Sequence, residues 1–519
     1  MNLLKNTTRM LGVLWLFLSM GTPIFADILL DAETNPTLLE AVISSEDTVA
    51  VQKSSILDAS QSFLPNPEAD YTYEWDFGDG NKDEGVEVLH VYKDPGQYTV
   101  SLKVSNDTEE ASVEKELYVY KKMILLLTDA EQDQIFIENA KSYAQQEGVF
   151  LSILDSFGSA SELISEEILS KKLIEARHDV QKALQIVVWT KGNTGINALT
   201  RFLQETKETF PINFSQKSIT VLTSDISGFS NRIKRQFQTI SPKSIILTND
   251  PAIHLLIDNF TSTDFITTLE SKGYEHEIIT NSSYKLRPWN FMSYFLTTLI
   301  DRGIPDSVIA LLLLLPIIAT VVAFMKQIVG LTTMGIYTPI IMTLSFLTIG
   351  LYFGLLTLIS VLVIGGLTRH LLRNVRLLFI PKMAIVMTLV SLGLILILIT
   401  TVYLDIFNAT FFSLAIFPMV ILSTLVEKFV SIKTEKGFIS AVTLMSETLI
   451  VAIIAYIVAG GEVDLGFAII KVNFVSNLML SYPEIIFLLL GINILLGRWS
   501  GLRLLEIIRF REILRHIEE

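Results

Sequence analysis

The chain has 519 residues, half of them hydrophobic, with 40 Lys+Arg against 54 Asp+Glu and no cysteine. The missing thiols exclude disulfides, thiolate metal sites and cysteine nucleophiles. From residue 300 onward Lys+Arg number 15 and Asp+Glu 13, leaving 25 against 41 before it, so the acidity belongs to the first part of the chain. A negative surface without a basic stripe argues against nucleic acid as a partner.

Residues 1–26 have the form of a signal peptide: Lys5 and Arg9, an apolar stretch Met10–Met20, then Thr22-Pro23-Ile24-Phe25-Ala26 ending on a small residue. Cleavage before Asp27 is expected, and an uncleaved anchor is the alternative. A linker is expected over 27–44.

From 45 to 120 short alternating runs are separated by turn residues, the pattern of an all-β domain. Its centre is Tyr73-Glu74-Trp75-Asp76-Phe77-Gly78-Asp79-Gly80, followed by His90, Tyr92 and Pro95-Gly96-Gln97-Tyr98-Thr99-Val100. Tyr98, Val100, Leu102 and Val104 share one face, and the Gly and Pro pairs make tight turns. These residues resemble the signature of PKD domains, Trp-Asp-Phe-Gly-Asp-Gly, His-x-Tyr and Pro-Gly-x-Tyr-Thr-Val. The resemblance implies a seven-stranded immunoglobulin-like sandwich with Trp75 in its core and a role in recognition or spacing. Asp76 and Asp79 are read as turn caps ahead of a calcium site, and His90 as structural.

Residues 121–285 change character. Continuous apolar runs Met123–Thr128, Phe150–Leu154, Leu184–Trp189, Ser218–Leu222 and Ser244–Leu247, and a last strand near Glu277–Thr280, alternate with helical stretches. That rhythm predicts a doubly wound α/β, flavodoxin- or receiver-like domain with a parallel sheet covered on both faces. Ligands of such folds bind at the carboxyl ends of strands. Here those ends carry Thr128-Asp129, Asp155-Ser156, Thr190-Lys191-Gly192, Thr223-Ser224-Asp225 and Thr248-Asn249-Asp250. Ordinary helix caps account for the same residues, and no GxGxxG or Walker spacing accompanies them. No cofactor, metal or catalytic residue is assigned.

A linker is expected over 286–306. Beyond it uncharged runs predict spans near 307–326, 334–350, 351–368, 383–404, 409–426, 439–459 and 484–498, an α-helical bundle of seven crossings over 307–498. Thirteen basic residues fall on alternate loops and the tail, and only Lys471 on the others. The positive-inside rule therefore puts the N-terminal domains outside and the C-terminus in the cytoplasm. Residues 499–519 alternate Arg with Leu, Ile and Phe, an amphipathic tail for the membrane surface or a cytosolic protein.

Gly330–Pro339, Arg376–Lys382, Phe417–Lys428, Tyr482-Pro483-Glu484 and Leu496–Arg503 with Arg509-Phe510-Arg511 resemble a bacterial family of seven transmembrane helices usually fused to an inactive transglutaminase. The resemblance implies a bacterial membrane protein of unsettled molecular activity; the inner membrane is its expected location, and with no cysteine and no catalytic constellation it is not expected to be an enzyme. It also suggests an ATP-grasp ligase as a cytoplasmic partner. A PKD and an α/β domain stand where the transglutaminase-like domain would be.

Glu447 is the acidic residue expected near the middle of a span, where a charge is costly and marks a function or a specific partner. The alternative is a hydrogen-bonded Glu packed against neighbouring Ser and Thr. Gly335 and Pro339 would interrupt the second span. Arg369, Arg373 and Arg376, with Arg503, Arg509 and Arg511, form candidate cytoplasmic contacts. The favoured reading is a non-enzymatic envelope protein, an exported PKD–α/β module on a membrane scaffold relaying to a cytoplasmic partner. Lipids and an envelope protein or glycan are its other expected partners. The alternative is a transporter or channel using Glu447 and the interrupted second span.

Overall fold

The computed structural model describes residues 38–66, 69–129, 133–159, 161–259, 261–281, 290–371, 378–403, 409–464, 469–499 and 501–509. The signal peptide, most of the 27–44 linker and the end of the tail lie outside these residues. The chain divides into two compact units, Met1–Lys121 and Lys122–Glu519.

The first unit is a β-sandwich. Strands β1 (Thr48–Ala50), β2 (Ser54–Asp58), β3 (Thr72–Asp76), β4 (Lys82–Glu84), β5 (Glu87–Val91), β6 (Gly96–Ser105) and β7 (Glu110–Tyr120) form two sheets. One has the order β1-β7-β6-β3-β4 and the other pairs β2 with β5. Val100, Leu102 and Val104 are buried while Thr99, Ser101 and Lys103 are not, the period of two that a half-buried strand requires. Trp75 is 1% exposed and its indole N–H donates to the Gly85 carbonyl at 2.8 Å. The Tyr92 hydroxyl donates to the Phe77 carbonyl at 3.1 Å, and the Phe77 and His90 rings stack at 4.0 Å.

The carboxylates of the signature are engaged in turns. Asp76 accepts from the Gly78 N–H and pairs with Lys82, each at 3.0 Å. Asp79 accepts from the Asn81 N–H at 3.0 Å and lies 2.8 Å from His90 Nε2. Burial acts to raise the Asp79 pKa, but the bonds from Asn81 and His90 outweigh it and leave it below the usual value. Gly78 has φ +75°, and a Cβ there would lie 2.6 Å from the Thr99 carbonyl oxygen. Glycine is required there on both counts.

The second unit opens with a sheet of six strands: β8 (Lys122–Thr128), β9 (Val149–Asp155), β10 (Gln185–Trp189), β11 (Ser218–Leu222), β12 (Ser244–Thr248) and β13 (His276–Ile279). The order is β13-β12-β11-β10-β8-β9, all parallel except β13. Strands β10, β11 and β12 are buried at every position, which is why they read as uninterrupted apolar runs. Helices α1 (Gln134–Gln146), α2 (Glu162–Glu175), α3 (Arg177–Lys182), α4 (Thr194–Thr206), α5 (Ile226–Ile240), α6 (Ile253–Asp258) and α7 (Ser262–Lys272) connect them.

Helix α8 (Phe291–Asp301) occupies much of the stretch expected as a linker, because Ser293, Leu296, Thr297 and Ile300 recur at helical spacing and bury one face. Apolar helices follow: α9 (Asp306–Phe324), α10 (Tyr337–Ile349), α11 (Leu351–Leu371), α12 (Phe379–Tyr403), α13 (Ala409–Lys436) and α14 (Phe438–Val458). A hairpin, β14 (Glu462–Asp464) with β15 (Ile469–Lys471), leads to α15 (Asn473–Ser481), α16 (Ile486–Gly497) and α17 (Leu504–Arg509). Among the described residues three helices are long and apolar enough to cross a membrane, and α15 with the segment after it makes a fourth candidate bent by 106°. Close approach depends on small residues: a Cβ on Gly365 would sit 2.3 Å from Val426, and one on Gly354 2.5 Å from Phe346.

The sheet domain and the apolar helices share cores. Ile164 and Ile168 of α2 are buried in one cluster with Met342, Phe346 and Ile349 of α10 and Met419 and Leu422 of α13. The Ser161 hydroxyl donates to the Thr348 carbonyl at 2.6 Å. A domain merely tethered to the apolar helices would not bury its own helix side chains among theirs.

Candidate functional site

Three polar clusters lie along these shared helices. The first is at the carboxyl edge of the sheet, between β8 and β10. Both Asp129 carboxylate oxygens accept from the Lys191 backbone N–H at 2.9 Å. Burial, with help from the neighbouring Glu162, lifts Asp129 to about 6, against the pull of the Lys191 N–H. The Lys191 ammonium bonds Glu462 of the β14–β15 hairpin at 3.0 Å. Burial works against that charge, but Glu462 and Asp129 outweigh it and hold Lys191 above its ordinary value. The strand tips noted in the sequence are therefore joined to the apolar half of the chain.

The second cluster is buried where α2 and α4 meet the start of α9. Glu166 is 2% exposed. Its carboxylate accepts from Asn197 Nδ2 at 3.1 Å and Ser307 Oγ at 3.0 Å. Asn197 Oδ1 accepts from Gln236 at 2.6 Å, and the Gln236 amide oxygen accepts from Thr200 at 3.0 Å. Burial pushes Glu166 up to about 7, with the Asp306 carboxylate adding to the effect and the two hydrogen bonds and Arg201 opposing it. Arg232 of α5 faces Asp306 at 3.9 Å, and Arg235 donates to the Leu480 carbonyl at 2.7 Å. Glu166 carried no signal in the sequence, since it sits in an ordinary charged helix (Ser-Glu-Glu) whose burial becomes visible only on docking.

The third cluster lies at the end of α10 remote from the sheet. After α9 the chain makes a π-helical turn (Met325–Val329), turns at Gly330 with φ +93°, and stays unwound until Tyr337. Glu447 of α14 accepts from the Thr332 backbone N–H at 2.7 Å and from its hydroxyl. The adjacent Thr448 hydroxyl accepts from the Met334 N–H at 3.0 Å. Lys428 of α13 donates to Thr338 Oγ1 at 2.9 Å. Side chains thus satisfy amides that the unwound backbone leaves without helical partners, the condition for irregular backbone among apolar helices.

Gly335 lies in this segment with φ +88°, before the helix and not inside it, and α10 starts at Tyr337, three residues later than the expected span. Pro339 occupies the first turn of α10, where it removes no helical hydrogen bond. Arg503 packs beside Gly330, whose added Cβ would meet it at 3.0 Å, and Gln327 donates to the Trp499 carbonyl at 3.3 Å. The motifs 330–339, 417–428 and 496–503, far apart in the chain, converge here together with Glu447. Thr332, Thr338 and Thr448 were not singled out from the sequence. Arg373, Arg376 and Arg511 and the side chains of Arg369 and Arg509 lie outside the described residues. Among the described residues no group of three His, Cys, Asp or Glu is placed to hold a metal.

A collagenase, ColA of Clostridium perfringens, is 32% identical over 108 residues, 20% of this chain and 10% of the collagenase. The chain therefore spans about a tenth of that relative's length. Among solved structures, the PKD1 domain of Vibrio anguillarum Epp is similar at 24% identity, covering 16% of this chain and 93% of that domain, with a TM-score of 0.14. The PKD1 domain of the Vibrio cholerae metalloprotease PrtV is similar at 21% identity over 16% and 96%, also with a TM-score of 0.14. Residues 40–120 match the PKD domain family. Residues 285–514 match the family described as seven transmembrane helices usually fused to an inactive transglutaminase, and the chain is a multi-pass membrane protein carrying an N-terminal PKD domain.

Proposed function

We propose that this protein is a non-enzymatic transmembrane relay. Residues 121–285 act as a doubly wound α/β recognition domain outside the inner membrane of a bacterium, where the PKD domain also acts. The apolar half crosses seven times and ends in the cytoplasm. What carries the reading is the burial of Ile164 and Ile168 among α10 and α13. The same two helices bear Thr338 and Lys428, partners in the remote polar cluster. From Thr338 to Thr348 the helix rises about 15 Å, so a tilt imposed on α2 reaches the unwound segment through one rigid element. The Arg503 surface beside Gly330 is the proposed contact for a cytoplasmic partner, with an ATP-grasp ligase as the first to test. Lipids and an envelope protein or glycan are the partners proposed outside.

The test is hydrogen–deuterium exchange of the full chain in nanodiscs, comparing wild type with Ile164→Ala and Ile168→Ala. Faster exchange at 330–337, with β10 and β11 still protected, is expected. Unchanged exchange at 330–337 in both variants overturns the relay. For the partner, co-purification lost on Arg503→Glu supports the assignment, and retention refutes it.

A further inference from the structure

Helices α8 and α15 each have two unlike faces. One face of each is fixed to the sheet domain or to the apolar helices. From α8, Leu296 and Ile300 enter the core with α9 residues, and Ser293 donates its N–H to Glu484 at 3.0 Å. The Ile300 carbonyl accepts from Gln204 of α4, and Asp301 accepts from Thr239 of α5 at 2.6 Å. From α15, Met479 and Leu480 enter the same core. Asn477 donates to Asp225 at 3.3 Å, the Ser481 hydroxyl to the Gly228 carbonyl at 2.6 Å, and the Leu480 carbonyl accepts from Arg235.

Among the described residues the opposite faces are apolar and uncovered. Phe295 is 63% exposed and Phe474 75%, with Phe291, Tyr294 and Leu478 beside them. Exposed aromatic groups in this number are unusual on a water-facing surface. They continue the exposed faces of the apolar helices: the rings of Phe291 and Phe487 at the start of α16 lie 5.8 Å apart, and Leu488 and Leu312 are also exposed. The 106° bend after Ser481 turns α15 across the direction of α16. If α16 runs with the membrane normal, α15 lies in the membrane plane.

We propose that α8 and α15 are interfacial helices that lie in the lipid headgroup–acyl boundary on the sheet domain's side, and that α5 rests on them. The occupant of their exposed faces is lipid. The mixture of aromatic rings with Leu, and with no charge on the exposed positions named, suits that boundary more than bulk water. Through Asn477, Ser481 and Arg235, lipid packing bears directly on α5 and hence on the sheet.

The chain has no cysteine, so single nitroxide labels can be placed without other changes. In phosphatidylcholine nanodiscs, labels at F295C, Y294C and F474C are compared with L488C as an in-membrane reference and T267C as an aqueous one. The readout is the ratio of collision with oxygen to collision with a water-soluble nickel complex. Ratios shifted past the midpoint toward L488C at Phe295 and Phe474 are expected. Ratios on the T267C side at either position overturn the proposal. So does protection from both reagents, which would mean that protein covers these faces.

Discussion

Glu166 offers the sharpest test of the junction between sheet and membrane helices. Its carboxyl is lifted from 4.5 to about 7 chiefly by burial. The folded protein therefore holds a proton there that the unfolded chain releases, and stability falls as pH rises from 4.5 to about 7. Above that the loss is complete. The interval corresponds to about 3 kcal/mol, an order-of-magnitude figure for one buried group. Glu166→Gln removes the charge and keeps the geometry. Its amide oxygen can accept from Asn197 Nδ2, and its amide nitrogen can donate to the Ser307 hydroxyl, which works either way. The variant should be more stable than wild type at pH 8, with a flatter slope between pH 4.5 and 7. Glu166→Ala leaves Asn197 and Ser307 without that partner and should lose about 1–3 kcal/mol relative to the Gln variant at every pH. Thermal melting of the full chain in nanodiscs at a series of pH values reads all three. An unchanged slope in the Gln variant, or a Gln variant less stable than wild type at pH 8, would refute the reasoning.

Glu447→Ala should cost about 0.5–1.5 kcal/mol by removing the partner of the Thr332 N–H, seen as faster exchange at 330–337. Glu447→Gln can still accept that N–H, so it should be near neutral if Glu447 only holds the segment. A Gln variant that keeps protected amides but abolishes a transport activity would favour a transporter. Gly78→Ala should destabilise the PKD domain by more than about 1 kcal/mol, through both its φ of +75° and the contact with Thr99; a transition in the full chain left in place counts against it. Trp75→Phe strands the Gly85 carbonyl and empties part of the core, a loss of about 2 kcal/mol or more by denaturant titration.

The PKD sandwich was legible in advance because its turns need particular residues. Gly78 must be glycine, and Trp75 must find a carbonyl. The strands of the sheet were legible as runs because burial on both faces leaves no alternation to misread. The docking was not, since Ile164 and Ile168 look like any helix's core positions until they are found in one core with Met342 and Phe346. The same is true of Glu447. Its rarity among apolar residues marked it, but only the fold brings Thr332 to it, from 115 positions earlier in the chain. Gly335 and Pro339 carry the sequence pattern of a helix interruption, whereas one lies in the unwound approach and the other in the first turn. Both roles satisfy the same sequence pattern.

Helix α14 joins two of the polar clusters. Beyond its C-terminal end Glu462 grips Lys191 at the sheet's edge, and Glu447 holds the unwound segment. Fifteen residues separate the two carboxylates, of which the helical part alone rises over 15 Å. The bonds differ in kind. Lys191 is about half exposed, so its pair with Glu462 is worth no more than about 1 kcal/mol and can exchange for another anion or for water at little cost. The Glu447 carboxylate holds Thr332 by both its N–H and its hydroxyl, two bonds that must break together. A force arriving at the sheet edge therefore yields first at Lys191, and the hairpin can part from the strand tips while the remote segment keeps its shape. Docking through α2 has no such weak link, because Ile164 and Ile168 would have to leave a shared core. On this argument Glu462→Gln should leave exchange at 330–337 unchanged while Ile168→Ala raises it. The reverse ordering would move the relay from α10 and α13 to α14.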